Sequence, residues 1–280
     1  MIIDSFPYFN EKELLELRIN LLHDYVDEFI IFDANRTHAG KIKEFTCKDT
    51  LNKLNLNSNK ITVVELDMSN YDNVNDPWVR ERLQRDSLSS YIEETDICII
   101  SDCDEIINPL LINEHKDFLS NNKDTVLFLP FYYLQHRADL HVSDDHGNLR
   151  EWNAAYVCTG KLIKKQTPSS IRENLTLGGN INDWPYPVSY IITPPGKKSG
   201  WHFTWMGGID RIITKKNNFA HAFDEGIKDY EINSYNPDEG TTDYLGREDH
   251  ILTKFDISLL PDIIDNLPTV KEFLLPEQNI

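Results

Sequence analysis

Asp102, Asp104 and Glu105 follow directly on a short apolar run in the stretch Asp96-Ile97-Cys98-Ile99-Ile100-Ser101-Asp102-Cys103-Asp104-Glu105-Ile106. Two carboxylates one residue apart on a bent backbone can both reach one hard divalent cation, Mg²⁺ or Mn²⁺. Such a cation keeps coordination places open for substrate phosphates, so the chemistry it suits is clamping the diphosphate of a nucleotide donor. A solvated acidic turn has the same composition, and in a chain this acidic Asp-x-Asp also arises by chance.

A second constellation is Gly200-Trp201-His202-Phe203-Thr204-Trp205-Met206-Gly207-Gly208-Ile209-Asp210. Paired glycines after an aromatic strand allow a tight turn or a close backbone approach. His202 and His221 are the imidazoles best placed to complete a metal site, although a lone histidine is more often structural. Asp210 is a candidate general base for an attacking hydroxyl, and equally a candidate N-cap for a helix starting near Arg211. Glu225, Glu248 and Asp249 are the next candidates for the base.

The elements that must hold these groups read as alternating strands and helices. Met1 to Asp4 suggests a first strand, followed by a helix capped by Asn10 with Glu13 in a capping box. Its apolar stripe is Leu14, Leu15, Leu17, Leu21, Leu22 and Tyr25. Phe29 to Phe32 is a second buried strand ending at Asp33, an acid that can accept hydrogen bonds from uracil or ribose or serve as a turn aspartate. The loop beyond it carries Asn35, Thr37, Gly40 and Lys41. Ile61 to Leu66 is a third strand, and Asp76-Pro77 caps and opens a helix over Trp78 to Asp86. Leu83, Leu88, Tyr91 and Ile92 supply its expected buried side. Arg80, Arg82 and Arg85 each read singly as a solvated helix face, while one of them can meet phosphate in the crevice.

Ile97 to Ile100 has the unbroken apolar character of a strand buried on both faces, and Thr125 to Pro130 is another strand. In open α/β sheets ligands bind at the carboxyl ends of strands, which puts Asp102 and Asp104 in the crevice. The alternation predicts an α/β fold with a Rossmann-like, mostly parallel sheet flanked by helices. One domain over residues 1–280 is expected, with a nucleotide half to about residue 130 and an acceptor half beyond it. That second half is rich in aromatic rings, among them Tyr132, Tyr133, Trp152, Trp184, Tyr186, Trp201 and Trp205. Such rings pack against the apolar faces of sugars, and they also fill cores. The segment from Leu259 reads as a helix and tail.

Composition narrows the partners. A formal net charge of −18 repels nucleic acid and anionic membranes, so neither is an expected partner. The four cysteines match no zinc spacing and read as reduced thiols. No segment has the apolar length of a membrane span, and no export signal is visible, which predicts a soluble, cytoplasmic protein.

The blocks that carry the chemistry also carry a resemblance. Asp4-Ser5-Phe6-x-Tyr8-Phe9-Asn10-Glu11 with Leu14, Glu16, Arg18 and Asn20 is similar to the start of glycosyltransferase family 17. So are Val26-Asp27, Asn35-x-Thr37-x-x-Gly40-Lys41, the Trp78 to Arg85 helix, Ser101 to Glu105 and the Gly200 to Gly208 block. The family contains the β-1,4-mannosyl-glycoprotein N-acetylglucosaminyltransferase of N-glycan synthesis. The resemblance implies a GT-A fold, a UDP-sugar donor, a glycan acceptor, a divalent metal at Asp102 and Asp104, and inversion to a β-linkage. It also puts Asp210 at an acidic position of the family's Gly-Trp-His block, the expected base, while the strand-end and helix reading places Asp33, Asn35 and Arg85 at the nucleotide and the aromatic half offers Trp201, Trp205 and Tyr132 to the acceptor. The donor sugar is N-acetylglucosamine or a pentose such as xylose. A glycan-binding protein without catalysis, or another metal-dependent nucleotide-sugar enzyme, is the alternative.

Overall fold

The computed structural model describes residues 1–176, 184–190, 197–224 and 250–276. Strand β1 (Ile2–Tyr8) leads into helix α1 (Lys12–Leu22), then β2 (Glu28–Ala34), α2 (Cys47–Lys53) and β3 (Ile61–Leu66). Helix α3 (Pro77–Asp86), β4 (Ile97–Ile100), β5 (Glu105–Ile107), α4 (Leu110–Asn121) and β6 (Val126–Phe128) follow. The rest comprises β7 (Phe131–Gln135), β8 (Leu140–Ser143), β9 (Glu151–Trp152), β10 (Tyr156–Thr159), α5 (Gly160–Lys165) and α6 (Pro168–Thr176). It closes with β11 (Val188–Tyr190), β12 (Gly200–Thr204), α7 (Ile209–Lys216), β13 (Ile251–Lys254) and α8 (Pro268–Leu274).

The first sheet runs β11-β6-β10-β4-β1-β2-β3. Its β4-β1-β2-β3 half is parallel throughout, because each crossover carries a helix, an irregular connection or both over a sheet face. The expected parallel character holds there, and β10 breaks it by pairing antiparallel with both β4 and β6. Ile97 to Ile100 are all buried, which accounts for their unbroken apolar run between two neighbours. The second sheet, β13-β8-β7-β12-β5 with β9 on β7, is mixed and, apart from β5, comes from the aromatic half of the chain. Strand β5 begins three residues after Asp102 and pairs with β12, so the acidic turn is the hinge between the two sheets.

Local expectations are met unevenly. Asp76 accepts from the Trp78 amide at 3.0 Å with Pro77 in the first turn, the capping read from sequence. The capping box at Asn10 does not form. Glu11 instead takes the Phe9 and Asn10 amides on Oε2, and Glu13 is taken by Arg211. The expected buried side of helix α3 and its continuation holds in part: Leu88 and Ile92 are buried, but Tyr91 is 45% exposed, and Arg80, Gln84 and Arg85 are buried as well. The four cysteines are buried free thiols. Among the described residues, no helix is long and apolar enough to cross a membrane.

Candidate active site

A cavity of about 570 Å³ opens at the carboxyl ends of β1, β2 and β4 and is closed opposite by β9, β12 and α7. Arg85, Asp102, Asp104, His202, Trp205 and His221 line it, so the structure brings these six expected residues together.

The turn carrying the two acids is fixed from below by Arg18, a fully buried side chain of α1. Its guanidinium grips Asp4 with Nε and Nη2 at 2.7 and 2.6 Å. Its Nη1 donates to the carbonyls of Asp102 and Glu105 at 2.7 and 3.1 Å, and Nη2 also reaches Ser101 Oγ at 2.7 Å. A planar fork of five donors suits this work, because one residue satisfies acceptors on two elements at once.

Asp102 then faces two arginines. Arg85 Nη2 lies 2.9 Å from Oδ1 and Arg172 Nη2 lies 2.8 Å from Oδ2. Burial favours the neutral acid, but Arg172 and then Arg85 outweigh it and hold the carboxyl well below the ordinary range. Arg172, from α6, also makes a two-pronged pair with buried Glu105 at 2.9 and 2.8 Å. Glu105 in addition accepts the Asp102 amide at 2.8 Å and the Trp152 indole N–H at 2.5 Å. Trp152 is thereby oriented, and its ring stacks on His202 with centroids 4.3 Å apart.

Asp104 faces α7. Lys215 Nζ is 2.7 Å from its Oδ2, and His202 Nε2 is 3.7 Å from the same oxygen. Burial again favours protonation, and Lys215 followed by His202 overcomes it, keeping the carboxyl ionised far below its usual range. Lys215 is delivered by the turn Trp205-Met206-Gly207-Gly208, in which Trp205 itself has φ of 60°. A bulky residue in the left-handed region is strained, and such strain gathers at functional sites. The Trp205 ring lies beneath the Lys215 ammonium at 5.0 Å and meets Phe219 edge-on.

Asp102 and Asp104 are hard oxygen donors of the type Mg²⁺ or Mn²⁺ takes when phosphates complete its shell, and both oxygens of Asp102 and Oδ2 of Asp104 already meet protein cations that such an ion would have to share or displace. His202 stands beside them. His221 pairs with Asp224 at 2.5 Å and packs edge-on against Trp78. Among the described residues, no three His, Cys, Asp or Glu side chains form a closed metal centre.

Five expected residues stand away from the cavity wall. Asp33 is buried and takes the Thr46 and Cys47 amides at 2.7 and 2.9 Å with Lys43 on its other oxygen, so it anchors the start of α2. Asn35 staples its loop to Asp67 and the Met68 amide. Tyr132 packs against Phe255, and Trp201 donates its indole N–H to the Leu259 carbonyl at 2.9 Å. Asp210 is exposed in the first turn of α7, while Gly208 with φ of 81° occupies the cap position. Glu225, Glu248 and Asp249 lie outside the described residues. Trp152 stood among the rings expected to meet sugar, whereas Arg18, Arg172 and Lys215 were missed as site groups. Their one signal was scarcity: 28 basic residues stand against 46 acidic ones, so a buried cation here has a task.

Residues 1–131 match the model of glycosyltransferase family 17. No curated protein matches the chain. A crystal structure of 4-diphosphocytidyl-2C-methyl-D-erythritol synthase is similar with TM-score 0.40 and 13% identity, over 69% of this chain and 90% of that one. The galactosyltransferase LgtC, in complex with donor and acceptor sugar analogs, is similar with TM-score 0.37 and 12% identity, over 68% and 72%. An active-site mutant of LgtC gives TM-score 0.35 at 12% identity, over 68% and 71%. The matched segment ends beyond Asp102 and Asp104 and holds the β1, β2 and α3 walls of the cavity. The similarity to glycosyltransferase family 17 thus covers residues 1–131, less than half of the chain, and takes in the acidic turn with its two carboxylates.

Proposed function

We propose that the chain, in a fold of the GT-A type, moves a sugar from a UDP-sugar to a glycan hydroxyl with inversion, forming a β-linkage. The sugar is N-acetylglucosamine or a pentose such as xylose. The observation that carries this reading is the Asp102 and Asp104 pair at the end of β4, facing a cavity whose cations are already gathered around it. The nucleotide takes the side made by β1, the loop after β2 and α3. The acceptor takes the side of β9 and β12, where Trp152 offers an oriented ring.

Asp102 and Asp104 would hold Mn²⁺ or Mg²⁺, which supplies neutralisation of the diphosphate as it leaves. Arg85, Arg172 and Lys215 set the positive field in which the diphosphate sits, in a cavity where charges act more strongly than in water. These cations are pre-placed by Asp102, Glu105 and Asp104, so little reorganisation accompanies transfer.

A base must take the acceptor proton. Asp102 and Asp104 are held too acidic for that task, and Glu81 is tied to Arg85 at 2.8 Å. Glu11 lines the cavity, and burial raises its carboxyl above the ordinary range despite the Phe9 amide and Lys215. A raised carboxyl matches the demand on a general base better than the exposed Asp210 does.

The test is calorimetry with UDP, with and without Mn²⁺, on the wild type and Asp104→Ala. Metal-dependent binding lost in the variant supports the donor site. If UDP binds neither with metal nor without it, the nucleotide-sugar reading fails.

A further inference from the structure

The loop after β2 holds a hydrogen-bond relay that fixes the proton of one imidazole. Arg80, buried in α3, donates from Nε to the His38 carbonyl at 2.7 Å and from Nη1 to the Tyr71 and Val74 carbonyls at 3.1 and 2.7 Å. The backbone at His38 is therefore pinned. Gln84, also buried, donates from Nε2 to the Phe32 carbonyl at 2.6 Å. A backbone carbonyl only accepts, so the amide of Gln84 has one allowed orientation. Its Oε1 then faces His38 Nε2 at 2.9 Å. That oxygen likewise only accepts, so Nε2 must carry the proton. In the neutral imidazole the remaining nitrogen, Nδ1, is an acceptor.

His38 and Gln84 both line the cavity. Glu81, Gln84 and Arg85 share one face of α3 by their spacing, and Arg85 is the residue bound to Asp102. The His38 acceptor thus lies along the same wall as the acids, on the β2 side. A nucleotide whose diphosphate met Asp102 and Asp104 would have that wall within reach of its base.

We propose that His38 is a specificity-determining residue that selects uracil over cytosine in the donor nucleotide. The assignment rests on the nucleotide-sugar reading above. The two bases are alike in size, so shape does not separate them. They differ at C4, a carbonyl in uracil and an amino group in cytosine, and at N3, the position His38 Nδ1 would face, which in uracil carries a hydrogen and in cytosine a lone pair. An acceptor fixed by Gln84 and Phe32 pairs with the first, and against the second leaves two acceptors facing each other. A site built to bind one hydrogen-bonding polarity rejects the other because its own group goes unpaired.

The experiment is calorimetric titration of wild type, His38→Ala and His38→Asn with UDP and with CDP, at one fixed Mn²⁺ concentration. The wild type is expected to prefer UDP by about ten- to a hundredfold. His38→Ala is expected to bring the two affinities within about threefold, and His38→Asn, whose amide can present either polarity, to do the same. Each ratio is read within one protein, so a partial loss of stability in a variant cancels. An unchanged ratio in both variants overturns the assignment, as does a wild type that prefers CDP, which would mean Nδ1 donates. A wild type that binds neither nucleotide fails differently, because it removes the nucleotide-sugar reading itself.

Discussion

Lys215 Nζ lies 2.7 Å from Asp104 Oδ2 across 111 residues of chain, joining the start of the second sheet to the helix that closes the cavity. Its position depends on three successive devices: β12 aligned by β5, the turn at Gly207-Gly208, and nearly two turns of α7. An ammonium placed against a buried carboxylate stabilises the fold and supplies the cavity with a cation that diphosphate can share.

The pair predicts a pH signature. The carboxyl of Asp104 is lower in the folded chain than its unfolded value near about 3.9, so its contribution is present above that value. It is lost as pH falls below about 4 towards the folded value. Lys215→Met should therefore be less stable than wild type by about 1.5–3 kcal/mol at pH 7, with the gap shrinking in acid. Urea unfolding of both proteins between pH 7 and pH 3 checks it. A gap that widens in acid would show that the pair is not its source.

Arg172 predicts a larger effect from a smaller change. It answers Asp102 with one nitrogen and Glu105 with two, all at 2.8–2.9 Å. Arg172→Lys keeps the charge but cannot make the fork, so Asp102 keeps only Arg85 or Glu105 loses one prong of its pair. Arg172→Met leaves Glu105, which is fully buried, without a cation, at a cost of about 3–5 kcal/mol. Urea midpoints should fall in the order wild type, Lys, Met. Equal midpoints for the two variants would mean that charge and geometry are not separable here.

Much of this arrangement was legible before the coordinates. Strands β2 and β4 announce themselves because a buried parallel strand carries an unbroken apolar run, and Asp102 and Asp104 follow from where β4 ends. Helix α3 was legible as a helix but not in its burial. Its inner face is polar because it meets the carbonyls of Phe32, His38, Tyr71 and Val74 rather than a core, and no periodicity of apolar residues encodes that. The aromatic rings divided for a similar reason. Trp201 and Tyr132 sit at buried positions of their strands, whereas Trp152 reaches the cavity from a two-residue strand too short to show a pattern. Arg172 was illegible because a contact between α6 and the acidic turn spans 70 residues and leaves no local trace.

The assignment of the base predicts a contrast between two carboxylates. Glu11→Gln keeps an acceptor for the Phe9 and Asn10 amides but cannot take a proton. Transfer should fall by roughly 10²–10⁴-fold with UDP binding retained. Asp210→Asn, at an exposed first-turn position, should keep turnover within about threefold of wild type. Initial rates and UDP affinities for both variants decide it. The reverse outcome would return the base to Asp210 and require α7 to present it to the acceptor.

The Gly207-Gly208 turn separates steric clash from backbone strain. Both residues have positive φ, 86° and 81°. A Cβ at Gly207 would stand 2.2 Å from Phe273 Cε2 in α8, whereas one at Gly208 would meet nothing within 4 Å. Gly208→Ala therefore bears only the backbone strain of φ 81° with ψ −177°, a region kept almost wholly to glycine, about 1–3 kcal/mol. Gly207→Ala must in addition push α8 away from the turn, so its loss should exceed that of Gly208→Ala by about 1–3 kcal/mol. The displacement acts on the turn that carries Trp205 and aims α7, so Gly207→Ala should also weaken UDP binding while Gly208→Ala leaves it near wild type. Urea unfolding and calorimetry on the same two proteins test both halves. Equal losses would mean that Phe273 moves freely and that α8 does not brace the site.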